Sequence, residues 1–201
     1  MRGPHTGLAA LFALFAIACA QDAPDAEQAA TEPAPELRCS TGSSAEDLAA
    51  RPSPLDSVMF DLAGAPAKLC YGRPSANGRI MVGDLDPFDA PWRMGANEPT
   101  TLHLASGATV GGVEVDAGSY SLYAIPTAGE WTIVVNGNPD RWGVPITDEV
   151  RAADIGSFDV TPAELEDAAE TLTFSSVAAE GGVDLVFSFE NRTFTIPVRG
   201  H

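Results

Sequence analysis

TVGGVEVDAGSYSLYAIPTAGEWTIVVNG, residues 109–137, carries three short runs in which apolar and polar side chains alternate with a period of two. Tyr120 and Leu122 share one face, and Tyr123 and Ile125 the other. Trp131, Ile133 and Val135 repeat the pattern until Asn136-Gly137 stops it. A strand places successive side chains on opposite faces, so this spacing belongs to β-structure with one buried face. Gly111-Gly112 falls between two β-branched runs, the composition of a tight hairpin turn.

The same period extends outward in both directions. Val58, Phe60 and Leu62 alternate with Ser57, Met59 and Asp61, and Leu102 and Leu104 with Thr101 and His103. TLTFSSV (171–177), VDLVFSF (183–189) and TFTIPV (193–198) follow, and ENR (190–192) suggests a terminal hairpin between the last two. Pro197 has no N–H to donate, which argues for an edge position for that strand. Thr161, Pro162 and Glu164 satisfy N-cap, first-turn and capping-box preferences, so one short helix is expected near 161–168. About eight or more short strands punctuated by Gly and Pro predict an all-β, antiparallel β-sandwich.

The N-terminal third differs. Arg2 precedes an apolar run, LAALFALFAIA (8–18), too short to cross a hydrocarbon core of about 30 Å as a helix. It ends in Ala16-Ile17-Ala18-Cys19, which resembles a bacterial lipobox. Cys19 is therefore the expected lipidation site, at the end of a signal peptide spanning 1–18. The alternatives are ordinary cleavage near Ala20 and an uncleaved anchor. Residues 19–52 are expected to be an acidic, Pro- and Ala-rich tether, since QDAPDAEQAATEPAPE (21–36) has no apolar period. The β-sandwich domain would occupy 53–201. Cys39 and Cys70 remain, and in an exported chain they are expected to form a disulfide; two unpaired thiols are the alternative.

Charge limits the function. The chain has 11 basic against 28 acidic residues, a net charge of -17, which argues against nucleic acid as a partner because counterion release needs a basic footprint. Catalytic templates are missing. His5 falls within the signal and His201 at the terminus, so His103 is the sole internal histidine. No nucleophile elbow, phosphate-binding glycine loop or Cys/His metal pattern occurs. No cofactor is expected. Asp84, Asp86 and Asp89 in GDLDPFDAPW are weak candidates for a hard cation, without the glycine and closing glutamate of a calcium loop.

Guanidinium groups cluster in one stretch. YGRPSANGR (71–79) and PFDAPWRMGANEPTTL (87–102) hold Arg73, Arg79 and Arg93 beside Tyr71, Trp92, Asn97 and Glu98. Together with VGGVEVDAGSYSLYAIP and EWTIVVNGNPDRWG, these words resemble the bacterial domain-of-unknown-function family 2911 over about residues 55–198. The resemblance implies an exported β-rich domain with no established activity. Two readings of the cluster stay open. In one, Glu98 pairs with an arginine to order the loop; in the other, surplus charge binds an anionic or carbohydrate ligand. The three arginines are expected to converge beside Trp92 and Glu98.

The expected function is a non-catalytic, lipid-anchored protein of the bacterial cell envelope, on the periplasmic or outer face. It would act as an accessory subunit of a membrane protein complex serving electron transfer (respiratory or photosynthetic), transport or assembly. A binding module at 71–98 is the alternative. Hydrolysis through Glu98 and an aspartate ranks third, since glycoside chemistry needs a carboxylate pair that no spacing identifies.

Overall fold

A computed structural model describes residues 37–201. The signal segment, Cys19 and residues 21–36 lie outside that range. Among the described residues, ten strands in two antiparallel sheets make up the β-sandwich. One sheet runs β1(Leu55–Leu62), β2(Ala65–Gly72), β3(Thr100–Leu104), β6(Gly118–Ile125), β7(Trp131–Asn136), β8(Asp154–Val160). The other runs β5(Val113–Val115), β4(Ala108–Val110), β10(Gly182–Gly200), β9(Ala163–Ala179).

The alternating side chains meet between the sheets. Leu69, Leu102, Leu122, Ile133 and Val135 from one sheet face Phe174, Leu185, Phe187, Phe194 and Ile196 from the other, all buried. Aromatic rings knit the layers: Trp131 lies 5.5 Å from Phe194 and Tyr71 meets Phe174 edge-on at 5.0 Å, while Phe187 stacks on Phe194 at 4.5 Å within β10. Such pairs add stability beyond the area they bury. Gly111 and Gly112 take φ of 56° and 92° and close the β4–β5 hairpin, as their residue type demands.

The outer face of the larger sheet is also covered. Thr101, His103, Ser121 and Asn136 point away from the core, yet each is at most 5% exposed. The cover consists of two segments. One is 37–54, tied down by the Cys39–Cys70 disulfide and by Lys68 Nζ donating to the Leu37 carbonyl at 3.3 Å. The other is 137–153, where Asn136 donates to Val150 O at 2.7 Å and Tyr123 to Asp154 at 2.7 Å. The disulfide expected from cysteine number is thus present. Residues 37–52, expected to continue the tether, instead pack on the domain and contain helix α1(Ala45–Ala50), N-capped by Ser44.

Three local expectations are corrected. Residues 163–170 belong to β9, not to a helix. A helix there had little apolar surface to bury, whereas an extended segment gains a ladder with β10, as in Arg192↔Glu164 and Thr193↔Ala163. The second helix is α2(Asp148–Arg151), N-capped by Thr147. Residues 183–198 form no hairpin at ENR: β10 runs straight through, with a bulge where Glu190 takes φ 54°. Pro197 therefore sits in an internal strand. It is tolerated because pairing with β9 ends at Thr193 and pairing with β4 starts at Val198.

Candidate functional site

The long connection between β2 and β3, residues 73–99, grips the sandwich at two points. Its first arm lies on β9: Ala76 N donates to Glu170 O at 2.8 Å and Leu172 N to Pro74 O at 2.9 Å. Its second arm extends the ladder of β6 beyond the end of β3, through Trp92 N to Ala124 O at 2.7 Å and the return bond at 2.8 Å. Between the arms the Glu190 carboxylate, raised by its bulge, accepts from Met81 N at 2.8 Å and Val82 N at 3.2 Å. Backbone that would otherwise be unpaired is satisfied this way, so a loop with little apolar cover is held in place.

A cleft of about 280 Å³ opens between the arms. Arg79, Arg93, Asp86, Asn97, Ser75 and Asn77 line it, with Trp92, Met81 and Phe189 among its apolar walls. Trp92 is 4% exposed, edge-on to Trp131 at 5.9 Å and to Phe187 at 6.1 Å, so its ring is core rather than a stacking platform. Asn97, at φ 64°, donates to Ser53 O at 3.1 Å.

The arginines divide into two groups. Arg73 is used structurally: it pairs with Asp56 at 3.3 Å and donates to Leu172 O at 3.3 Å and Thr173 Oγ1 at 3.4 Å. Tyr71 beside it is buried, and burial raises its phenol pKa; its oxygen accepts from Phe174 N at 3.1 Å. Arg79 and Arg93 have no carboxylate within ion-pair distance among the described residues. Arg79 donates to Ala76 O at 2.9 Å and Ser75 O at 3.2 Å, and Arg93 Nε to Gly95 O at 3.1 Å. Both therefore keep N–H groups for a ligand. Burial lowers the Arg93 pKa, and Asp86 partly opposes this. Burial raises the Asp86 pKa, with Arg93 and Trp92 working against that shift.

Glu98 is not in this cleft. It is 5% exposed, and it accepts from Arg51 Nη1 at 2.9 and 2.8 Å and from Thr41 at 3.0 Å. The expected convergence on Glu98 is thus replaced by two sites: Arg79, Trp92, Arg93 and Asn97 meet, while Glu98, Tyr71 and Arg73 point elsewhere. Arg51 was not anticipated. It lies in a segment whose composition resembles a tether, and no local spacing links it to a residue 47 positions away.

The three aspartates do not assemble. Asp84 and Asp89 are exposed while Asp86 turns toward the cleft, and no group of three or more metal-ligating side chains exists among the described residues. His103 is buried against Thr101 Oγ1 at 3.2 Å and Ser119 Oγ at 2.8 Å, hydrogen-bonded within the sheet's outer face. Among the described residues no helix is long and apolar enough to cross a membrane.

A family model described as a protein of unknown function (DUF2911) matches residues 53–198. No curated protein and no solved structure matches the chain.

Proposed function

The chain belongs to the DUF2911 family, and on that premise we propose that it is a non-catalytic, lipid-anchored envelope protein that docks an acidic partner in the Arg79/Arg93 cleft. The observation that carries this reading is the pair of guanidinium groups without carboxylate partners lining one cleft of a protein with net charge -17. Arg79 is exposed and Arg93 half-buried, and neither has a carboxylate within ion-pair distance among the described residues, so both keep N–H groups for an incoming counter-charge. Bidentate guanidinium contacts would give that contact its orientation. The partner is a subunit of a membrane protein complex, and lipid at Cys19 would hold the domain near it.

Affinity purification of the full chain from detergent-solubilised membranes tests the reading. A stoichiometric complex that is lost in Arg79→Ala/Arg93→Ala and weakened by salt is the expected result. A lone monomer, or a complex indifferent to both arginines, would defeat it. Mass spectrometry of the mature N-terminus tests the anchor separately: a free Gln21 without acyl mass contradicts lipidation.

The cleft volume favours a second reading, a free small anion as ligand. Calorimetric titration with acetate, glutamate and inorganic phosphate distinguishes the two, since saturable binding of a free anion without any co-purifying protein selects the small ligand.

A further inference from the structure

Trp142 is 54% exposed, and the residues on either side of it are tied to the domain. Arg141 Nη1 donates to the carbonyls of Trp142 at 3.0 Å and Gly143 at 3.1 Å. Gly143 N donates to Asn97 O at 3.1 Å, and Asn138 N to Asn136 Oδ1 at 2.9 Å. A single exposed apolar ring needs no explanation by itself, but one that lines a cleft together with polar groups has the arrangement of a ligand site.

The ring stands at a cleft of about 380 Å³. Ser40, Thr41 and Gly42 form one wall, and Pro139, Asp140, Arg141 and Glu98 the rest. The Arg51 guanidinium carbon sits 6.0 Å from the Trp142 ring centroid and covers one face. The exposure that remains belongs to the other face and the ring edge. Glu98 is neutralised by its bond to Arg51. Asp140 and Arg141 carry opposite charges on adjacent positions, so this lining has no surplus of either sign. A ligand gains little here from being charged, unlike in the Arg79/Arg93 cleft.

We infer that this cleft is a second binding site, for a neutral sugar ring stacked on the free face of Trp142. The chemistry matches on each side. A pyranose has apolar C–H faces that lie flat on an indole and a rim of hydroxyls that both donate and accept. Asp140 can accept from two vicinal hydroxyls, and the exposed Ser40 offers a hydroxyl that both donates and accepts, while Thr41 is engaged with Glu98 and the Ser43 N–H and Arg141 with the Trp142 and Gly143 carbonyls. A pocket with one aromatic wall and a few convergent polar groups, large enough for one or two rings, is the usual form of a small-ligand site. Only side chains outside the Arg79/Arg93 cleft are used, so the two sites stand or fall separately.

Tryptophan fluorescence provides the test, because Trp92 and Trp131 are buried and serve as internal controls. Maltose, cellobiose and chitobiose are titrated up to about 10 mM, with acrylamide quenching read in parallel. At least one should bind saturably with Kd of about 1 mM or tighter and shield the quenchable tryptophan. Trp142→Ala, read by calorimetric titration because it removes the fluorescent reporter, and Asp140→Asn should each weaken binding about tenfold or more, while Arg79→Ala/Arg93→Ala leaves it unchanged. If Trp142→Ala unfolds the domain, Asp140→Asn decides alone. No saturable binding by any of the three sugars, or binding that survives both substitutions, overturns the proposal. Shielding by glutamate or phosphate in place of the sugars overturns it equally.

Discussion

Arg51 closes on Glu98 with one guanidinium nitrogen against both carboxylate oxygens, 2.9 and 2.8 Å away, joining the N-terminal cover to the loop before β3. The two side chains are 13% and 6% exposed. Thr41 completes the Glu98 shell from the same cover. A carboxylate this deep is tolerated because its charge is matched and its lone pairs are used. The contact also separates the two clefts, since Asn97 lines one and Glu98 the other.

Breaking this pair should be costly. Arg51→Ala strands a buried carboxylate and is expected to lower stability by about 3–5 kcal/mol in urea unfolding. Arg79→Ala, whose side chain is exposed and bonded only to its own turn, should cost under about 1 kcal/mol. Equal melting of the two variants would show that Glu98 does not depend on Arg51.

The disulfide spans 31 residues. In the chain-entropy model a loop of that size contributes about 3–4 kcal/mol. Cys39→Ser/Cys70→Ser is expected to lose at least that, because Thr41 and the wall of the Trp142 cleft are released with Cys39. The measurement is the midpoint of urea unfolding under non-reducing conditions, with reduced parent protein as a second comparison. A double variant as stable as the oxidised parent would remove the structural role of residues 37–44.

Gly143 tests how tightly the two clefts share a wall. A Cβ there would lie 2.3 Å from Asn97 O, 2.6 Å from Arg93 Cδ and 3.0 Å from Glu98 O. Two of these are backbone atoms that cannot swing aside. Gly143→Ala should cost about 1–3 kcal/mol by overpacking. Gly42→Ala, with nothing within 4 Å of the new carbon, should be silent by the same measurement.

The buried His103 predicts a pH dependence. Burial lowers its imidazole pKa, Lys68 adds to this, and Asp140 opposes it. The unfolded chain then takes up a proton at this ring more readily than the folded one, near pH 6.5. The associated stability is present above the unfolded value and is lost as pH falls through the folded one. Between pH 7 and 5 the parent should therefore lose more stability than His103→Gln, the carboxylates being common to both. Parallel curves would show that His103 is indifferent to folding.

Whatever depends on neighbours in the chain was legible. The period of two in 109–137 marks strands because alternation follows from backbone geometry alone, and Gly111-Gly112 marks a turn because few other pairs fit its φ angles. The Cys39–Cys70 bond was legible from thiol number and an exported context. The short motif TPAE failed because its capping signals are local, while the strand that replaced it is stabilised by pairing with β10, 28 residues away at Glu164↔Arg192. Arg73, Arg79 and Arg93 could be found as a cluster from composition alone. Their separation into a structural member and two cleft members could not, because it depends on Asp56 lying under Arg73 and on Arg51 reaching Glu98 first. Ion pairs carry no sequence spacing. They form between whichever charges folding brings within about 4 Å, and only the packed sheets determine that.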